Sequence, residues 1–500
     1  MKENTNKAIV YNSFILYARL VINTVCSLLT TRFAFKALGV VDYGLFSILG
    51  GVISFIAIIN TIMAGTTRRF IAIAIGKNDI YEANEQFNVN LIIQVLSALL
   101  VLIIALPIGR WYVFNCINYE GSLSTAYYVF FITVLGSVLS FAGVAFNGLL
   151  TAKENFFIFS LVDVISHILK LIVALLLVNH FENKLIIYAI TMSVLTGGSA
   201  VIYAVYCRIK YFEITKFKFV RKWDKYKDVL NFAKWNSYGV IAYVAKEQGA
   251  GIIVNMFFNT LMNAALGIAN TINGFISMFS HNATNPISPQ LTKSYSANDI
   301  NRATYLLIVS NKVAYLLMFV VSIPFLIETE FILKLWLGNI PPYAVLFIRL
   351  MIIERLIDSL NNGIAEIVFA NGNISFYQIT TNTTRLLSVI VGYFVLKAGY
   401  PAYYLMICYI ICSIFIVLFK HISLGKIKDI DNRLVFKRSF VPSLIITILS
   451  VPIFIFNFNF HSLVNIVLKE IYVLTIILVI GLSKAERKYI IDFVKKKIKL

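Results

Sequence analysis

Charged residues are scarce in this chain, and acidic residues are scarcer than basic ones. Only 14% of the 500 residues are charged, whereas 59% are hydrophobic and the mean hydropathy is +0.81. Soluble globular domains carry about 25% charged residues. The composition therefore excludes a soluble globule and predicts a polytopic membrane protein.

Cysteine is also scarce, and nucleotide-binding loops are absent. The five cysteines form no CxxC pair, and four of them lie in or at the ends of apolar segments. This pattern excludes a disulfide framework and a metal knuckle. The sequence contains no GxxxxGK[ST] loop, so direct coupling to ATP is not expected.

The shortage of acids leaves a strongly basic chain, with 44 Lys and Arg against 24 Asp and Glu and a net charge of +20. Eight of the basic residues lie in the loop 208–227, between two long apolar segments. Moving such a loop across a bilayer costs several kcal/mol per charge. We therefore expect it to be cytoplasmic, and we expect no nucleic-acid partner, because basic cytoplasmic loops orient membrane proteins.

A window of about 20 residues per crossing predicts about fourteen transmembrane helices. The predicted spans are 8–32, 40–63, 87–109, 124–148, 156–179, 185–207, 228–252, 260–283, 303–326, 343–370, 374–396, 400–420, 439–457 and 463–483. With the N-terminus inside, about 29 Lys and Arg fall on the cytoplasmic side and about six outside. This asymmetry predicts cytoplasmic termini at both ends.

A short internal echo indicates two related halves. GKNDIYEA at 76–83 aligns with SANDINRA at 296–303, an offset of 220 residues without gaps. Each copy places Asn-Asp-Ile before a helix, where Asn78 or Asp79, and Asn298 or Asp299, can cap the first turn. Repeats about an axis normal to the membrane are typical of transporters, although chance or shared capping chemistry would also explain so short a match.

Polar side chains inside the apolar segments are the candidate site, because ionisable groups there usually face a cavity or a partner. In the first helix, Arg19 and Asn23 belong to one polar stripe. In the fifth, Ser160, Asp163, His167 and Lys170 share one face at helical spacing. Two interpretations stay open for that face: a self-neutralised pair that holds two helices together, or a site for a proton or a headgroup.

The tenth predicted helix has the most polar face. Within a sector of about 140° at helical spacing lie Glu354, Arg355, Asp358, Asn361, Asn362 and Glu366. The eleventh helix adds Arg385 after a run of Thr and Asn. Arginine suits bidentate contact with phosphate oxygens, and Asn, Thr, Ser and Tyr suit sugar hydroxyls. An anionic, polyhydroxylated cargo is the natural inference, though not a unique one.

Four stretches together resemble one family. They are FKALGVVDYGLFSILGG (35–51), NAALGIANTINGF (263–275), NPISPQLTKSYSANDI (285–300), and ILKLWLG followed by IPPYA (332–344). The combination is similar to polysaccharide flippases of the multidrug/oligosaccharidyl-lipid/polysaccharide (MOP) exporter superfamily, across roughly residues 5–485.

The resemblance implies an all-α polytopic membrane protein with two six-helix lobes around a central cavity and two extra C-terminal helices. The lobes would be 1–207 and 228–420, joined by the basic cytoplasmic loop 208–227. A cytoplasmic loop and helices 13 and 14 would occupy 421–483, and a basic cytoplasmic tail 484–500.

The implied function is to move undecaprenyl-diphosphate-linked oligosaccharide repeat units from the cytoplasmic to the periplasmic leaflet, for O-antigen or capsule assembly. No covalent chemistry, and so no enzyme, is implied. The resemblance places a first-helix cavity cation at Arg19; the other sites rest on the helical faces. We expect diphosphate and glycan binding by Arg19, Asn23, Lys170, Arg355 and Arg385. We expect proton or ion coupling by Asp163, His167, Glu354, Asp358 and Glu366.

No cofactor or metal is expected beyond a coupling ion, H⁺ or Na⁺. The expected partners are the lipid bilayer and the lipid-linked oligosaccharide, and the resemblance adds a polysaccharide polymerase and a chain-length regulator. We expect a monomer in the bacterial inner membrane. Two alternatives stay open: a proton- or sodium-coupled multidrug exporter of the same superfamily, and, more remotely, a membrane glycosyltransferase or polymerase, whose only support is Asp429-Ile-Asp431.

Overall fold

The computed structural model describes residues 2–76, 79–153, 155–180, 182–284, 287–372, 374–455, 461–482 and 486–487. These residues form helices and connecting turns, and no strand occurs among them. Ten helices within them are long and apolar enough to cross a membrane. The predicted all-α membrane fold is confirmed.

The chain divides into two compact units, residues 1–267 and residues 268–500. The first unit contains α1 (Lys2–Gly76), α2 (Ile80–Asn115), α3 (Leu123–Ala152), α4 (Phe156–Asn179), α5 (Lys184–Lys210), α6 (Phe212–Thr215), α7 (Trp223–Phe257) and the start of α8 (Thr260–Thr284). Helix α1 packs against α3, α4 and α7. The predicted division into lobes at 208–227 stays a prediction.

Helix α1 contains both of the first two predicted segments. Its helical backbone is interrupted at Gly39, where φ is 77° and ψ is 179°. That positive φ favours glycine, because a Cβ would be strained there. The first two predicted segments therefore form one kinked helix in the structure.

Small residues let α3 and α5 pack closely. A Cβ added to Gly136 would lie 2.5 Å from the Cβ of Ser193, and one added to Gly143 would lie 2.3 Å from the Cβ of Ala200. Gly136 and Gly143 are seven residues, or about two turns, apart on α3, and Ser193 and Ala200 are equally far apart on α5. Such small-residue interfaces are typical of packed membrane helices.

The second unit continues from α8 through α9 (Ile287–Ser296), α10 (Ile300–Ile327), α11 (Thr329–Leu337), α12 (Ala344–Ser359), α13 (Ile364–Asn371), α14 (Ser375–Lys397) and α15 (Tyr404–Gly425). Next come α16 (Asn432–Val435), a π-helical turn (Phe436–Phe440), α17 (Val441–Ser450), α18 (Pro452–Ile455), α19 (Ser462–Ile476) and a second π-helical turn (Ile477–Gly481). Helix α10 packs against α12 and α19, and α15 packs against α12 and α14.

The two capping sites of the sequence echo are confirmed. Asp79 Oδ1 accepts a hydrogen bond from the backbone N–H of Glu82 at 2.8 Å, and Asp299 Oδ1 accepts one from Arg302 at 3.1 Å. Each aspartate precedes its helix by one residue and satisfies an orphan donor of the first turn. The echo therefore reflects, at least in part, shared capping chemistry.

The basic segment after α5 is fastened to the start of α2 by two buried asparagines. The side-chain amide of Asn84 donates to the carbonyls of Ile214 at 2.9 Å and Lys216 at 2.8 Å, and that of Asn88 also donates to Lys216 at 3.0 Å. In addition, the ammonium of Lys225 lies against the carboxylate of Glu82 at 2.5 Å. These contacts hold a strongly cationic stretch in a defined path.

We expect Asn84→Ala to loosen this segment and to accelerate its cleavage by trypsin roughly tenfold or more, since each lost hydrogen bond contributes about 1 kcal/mol. Limited proteolysis of the protein in detergent, followed by mass spectrometry of the fragments, measures the rate. Asn115→Ala is the matched control in the same helix, because Asn115 is exposed and its side-chain amide donates to the carbonyl of Trp111 in its own helix at 2.9 Å. Equal cleavage of the two variants would contradict the fastening role.

Candidate functional site

A charged cluster joins α1 to α4 in the first unit. Arg19 Nε donates to Asp163 Oδ2 at 2.6 Å, and Asn23 Nδ2 donates to the same oxygen at 2.6 Å. Arg19 and Asn23 lie one turn apart on α1, so both reach one carboxylate on the facing helix. About a quarter of the Arg19 and Asp163 side chains is exposed, 26% for each, so the pair is partly accessible.

His167 and Lys170 extend this cluster along α4. His167 Nδ1 lies 2.9 Å from the backbone carbonyl of Asp163 and 3.8 Å from its Oδ1. Lys170 is half-buried and lies two turns after Asp163. Helical spacing along α4 predicts that His167 lies near Asp163, but it does not predict the pairing of Asp163 with Arg19.

Aromatic residues form one wall of the cluster. The guanidinium carbon of Arg19 lies 4.2 Å from the centroid of the Phe159 ring. The hydroxyl of Tyr203 on α5 donates to the Phe159 carbonyl at 3.2 Å, which ties α5 to the same position. Arginine over an aromatic face gains about 0.5–2 kcal/mol, so the guanidinium is held by the ring as well as by the carboxylate.

Two buried polar atoms at the cluster have no partner within the part of the chain that the structure describes. They are Asn23 Oδ1 and Ser160 Oγ, and Ser160 is only 4% exposed. An unsatisfied buried polar group costs about 1–3 kcal/mol. One acid also faces two fixed cations, Arg19 and Lys170. The arrangement can accept an anionic group with hydroxyls, and Asp163 can exchange Arg19 for a proton or a cation.

A second set of charged residues lies between α12 and α15 in the second unit. Glu354, only 5% exposed, accepts a hydrogen bond from Ser413 Oγ at 2.7 Å. Asp358 Oδ1 lies 3.5 Å from the ammonium of Lys420. The guanidinium Nε of Arg355 lies 3.6 Å from Glu354 Oε2. The two acids of α12 therefore already have partners on α15.

The prediction of one continuous polar face over 343–370 is wrong. A turn at 360–363 interrupts the helix between α12 and α13. Asn361, Asn362 and Gly363 are poor helix formers, and the backbone N–H of Gly363 donates to Asn311 Oδ1 at 2.9 Å instead. Positions on the two sides of this break do not share a helical face.

Glu366 therefore belongs to a different environment from Glu354 and Asp358. It lies on α13, where its Oε1 accepts a hydrogen bond from Ser288 Oγ of α9 at 2.9 Å. Arg385 bonds within its own helix, where Nη1 donates to Asn382 Oδ1 at 3.0 Å. Of the residues predicted in this unit, the structure groups Glu354, Arg355 and Asp358, and it gives Glu366 and Arg385 other partners.

Sequence reasoning missed the partners of the predicted residues. Phe159, Ser413 and Lys420 are examples. Lys420 is only 6% exposed, and its place at the end of an apolar segment next to a cytoplasmic loop made it look like a topology signal. A lysine inside the last turns of a hydrophobic helix was the one available hint that it pairs with an acid.

Comparison with known proteins identifies the fold. No protein-family model matches the chain, and no curated protein matches its sequence. Among solved structures, the inward-facing conformation of a multidrug resistance MATE family transporter of the MOP superfamily matches with TM-score 0.67 and 14% identity, over 82% of this chain and 98% of that one.

Two further structures agree. The lipid II flippase MurJ, in an inward closed conformation, matches with TM-score 0.68 and 15% identity, over 93% of this chain and 98% of that one. A eukaryotic MATE transporter matches with TM-score 0.61 and 10% identity, over 87% and 98%. At these identities the likeness establishes a shared fold.

Proposed function

We propose that this protein is a membrane transporter of the flippase type. Its substrate would be an undecaprenyl-diphosphate-linked oligosaccharide, which it would move from the cytoplasmic to the periplasmic leaflet for O-antigen or capsule assembly. The all-helical fold shared with MATE transporters and with the lipid II flippase supports a transporter in general. The substrate class rests on the cluster between α1 and α4.

The observation that carries the proposal is an excess of fixed positive charge beside unsatisfied polar atoms. Arg19 and Lys170 outnumber Asp163, and Asn23 Oδ1 and Ser160 Oγ have no partner among the described residues. A diphosphate would supply the missing negative charge and would accept hydrogen bonds from the guanidinium fork. Hydroxyls of the first sugar would satisfy the orphan atoms of Asn23 and Ser160.

In this proposal Asp163 holds Arg19 in place until the substrate arrives. The diphosphate competes with the carboxylate for the guanidinium, so a ligated state differs from an empty one in the bond between α1 and α4. A ligand shifts a conformational equilibrium only through its different affinity for two states. Breaking the bond between Arg19 and Asp163 is one source of such a difference.

A proton or Na⁺ would then occupy Asp163 once Arg19 is released, with His167 as the neighbouring proton acceptor. We propose Glu354 and Asp358, which bond to Ser413 and Lys420 on α15, as the corresponding groups of the second unit. Arg355 and Arg385 remain proposed contacts of the glycan or the diphosphate, and Glu366 a proposed coupling group.

The protein would act as a monomer in the inner membrane, with both termini cytoplasmic, and would deliver substrate to a polysaccharide polymerase and its chain-length regulator.

One observation favours a second candidate, a proton- or sodium-coupled multidrug exporter. Asp163 is a partly buried acid that accepts two hydrogen bonds from α1, and a carboxylate at this place could bind a cationic drug after Arg19 moves away. The MATE transporters that share the fold support this candidate as much as the flippase supports the first. The two differ in the charge of the cargo.

We expect deletion of the gene to leave polyprenyl-diphosphate oligosaccharide on the cytoplasmic leaflet, and we expect restoration of the gene to remove it. The sidedness is measured by access of a membrane-impermeant sugar-modifying reagent to spheroplasts and to inverted vesicles. Unchanged lipid-linked sugar, together with new sensitivity to cationic dyes, would identify the drug exporter instead. Unchanged results in both assays would contradict both candidates.

A further inference from the structure

A cavity in the second unit belongs to neither charged cluster. It has a volume of about 570 Å³ and lies among α10, α12, α17, α18 and α19. Such a volume falls within the range of about 300–1,000 Å³ that is usual for small-molecule sites. Most of its lining is apolar, with Phe319, Leu356 and Leu444 among the lining residues. Two cations, Arg349 and Lys469, also line it.

Lys469 is the unusual feature of this cavity. It is only 2% exposed, and within the described part of the chain it makes no hydrogen bond and no ion pair. Glu328 attracts it electrostatically but does not come within ion-pairing distance, and Glu328 Oε1 instead accepts a hydrogen bond from Asn465 Nδ2 at 2.8 Å. Holding a lysine at so buried a position is costly, and the charge of Lys469 beside Arg349 makes the cavity favourable for an anion.

Arg349 lies at the end of the cavity that is next to the C-terminal end of α10. Its Nε donates to Thr329 Oγ1 at 2.9 Å and its Nη2 to the carbonyl of Ile327 at 3.3 Å, which fixes the guanidinium beside the end of α10. Lys469 lies one turn after Asn465, which bonds to Glu328 at that same end of α10. The cations therefore gather at one end, and the apolar lining continues away from them.

The cavity has the length of one lipid tail. Along α10 its lining runs from Tyr315 to Ile327, which is about 18 Å at 1.5 Å per residue. Half of a hydrocarbon core of about 30 Å is about 15 Å. Under the topology predicted from the Lys and Arg distribution, the cationic end of the cavity lies toward the external leaflet.

We infer that this cavity is a binding site for one anionic glycerophospholipid of the bilayer, with its phosphate against Lys469 and Arg349 and one acyl chain along α10 and α12. The phosphate neutralises the buried ammonium and accepts hydrogen bonds from it. The tail fills the apolar space between the helices of this unit. The site takes a structural or regulatory lipid and is separate from the proposed cargo cluster at Arg19.

The test compares purified full-length protein with Lys469→Met, which keeps the unbranched apolar stem and removes the charge. Protein is exchanged into phospholipid-free detergent and titrated with dioleoyl phosphatidylglycerol or with dioleoylglycerol, which has the same tails and no phosphate. Native mass spectrometry counts bound lipid, and a thermal scan follows stability. Lys334→Met, at an exposed position on α11, is the matched charge control.

We expect wild type and Lys334→Met to retain one phosphatidylglycerol and to be stabilised by it. Lys469→Met should bind it roughly 10- to 100-fold more weakly, the effect of one charge-assisted hydrogen bond. Dioleoylglycerol should bind all three proteins equally weakly. Leu444→Trp, which fills the cavity and leaves both cations in place, should also lose the lipid.

Equal retention of phosphatidylglycerol by wild type and Lys469→Met would overturn the inference. Selective retention of a polyprenyl phosphate over phosphatidylglycerol would overturn it too, because the cavity would then belong to the cargo. Misfolding is not expected to confuse the result, since methionine keeps the apolar stem of Lys469 and Glu328 keeps its hydrogen bond from Asn465 in this variant. In lipid-free detergent Lys469→Met should melt at or above the wild-type temperature, and a lower temperature would indicate that Lys469 has a protein partner instead.

Discussion

Arg19→Ala should abolish transport, with an initial rate at least roughly 100-fold below wild type. The guanidinium supplies charge-assisted hydrogen bonds of about 1.5–3 kcal/mol each to the proposed diphosphate, and losing two of them is enough for this effect. The measurement is the initial rate at which lipid-linked oligosaccharide appears on the opposite leaflet of proteoliposomes. Arg32→Ala is the control, because Arg32 lies on the same helix and is exposed.

A double variant separates a binding role from a structural one. Arg19→Ala alone leaves the carboxylate of Asp163 with the amide of Asn23 but without its cationic partner, so some loss of stability is expected in any case. Arg19→Met with Asp163→Leu removes both charges, and replacing a whole ion pair by apolar groups is often neutral for stability. We expect this double variant to fold and to remain inactive.

Recovered transport in the double variant would assign Arg19 and Asp163 to holding α1 against α4 and would remove the cationic cargo site. Arg19→Lys tests whether the charge of Arg19 or the shape of its guanidinium group is needed. Lysine keeps the charge but lacks the fork that contacts two phosphate oxygens, so we expect a rate between those of wild type and Arg19→Ala. A lysine variant as active as wild type would indicate a role for charge alone.

Gly143→Val should prevent the first unit from folding. An added Cβ would lie 2.3 Å from the Cβ and 2.7 Å from the Cα of Ala200. Since the second contact is with backbone, α5 as a whole must move away from α3. Overpacking costs about 3 kcal/mol or more in such a place. We expect the yield of monodisperse protein, measured by size-exclusion chromatography in mild detergent, to fall to background.

Gly198→Val is the matched control for this change. Gly198 lies on α5 as well, and nothing lies within 4 Å of a Cβ added there. Its variant should be obtained at the wild-type level. Gly143→Ala should be milder than valine, and combining it with Ala200→Gly should restore part of the yield, because the nearest clashing atom is removed. A normal yield of Gly143→Val would contradict the close packing of α3 on α5.

The sequence predicted well those features that depend on local chemistry. The caps of α2 and α10 could be placed in advance, at Asn78 or Asp79 and at Asn298 or Asp299, because an Asn-Asp-Ile triplet before an apolar run is a local signal. The membrane class followed from composition, which averages over the whole chain. Both predictions need no knowledge of which helix packs against which.

The candidate site was predicted only as sets of residues on separate helices. Asp163 and Arg19 were identified as important from their place in apolar segments, but they were assigned different roles. They are 144 positions apart, and helical spacing says which face a side chain occupies without saying which helix it meets. The same limit applies to Asp358 and Lys420, which are 62 positions apart.

The break between α12 and α13 shows where a periodic pattern misleads. Six polar residues from Glu354 to Glu366 fitted one helical face, yet Asn361, Asn362 and Gly363 leave the helix. The cue was present in their low helix propensity. Their partners lie on other helices and could not be seen in the sequence of the segment itself: Gly363 N–H donates to Asn311 Oδ1 of α10, and Asn361 Nδ2 donates to the Val417 carbonyl of α15.

By itself, the sequence determined that this is an all-helical membrane protein with a strongly cationic segment at 208–227 and charged residues inside its apolar helices, because composition, hydropathy and capping act over short distances. The tertiary structure decided which charges meet. It paired Arg19 with Asp163, gave Glu354 and Asp358 partners on α15, and placed the buried Lys469 in the lining of an apolar cavity. The physical reason is that ion pairs and cavities depend on helix packing, which brings together residues far apart in the chain.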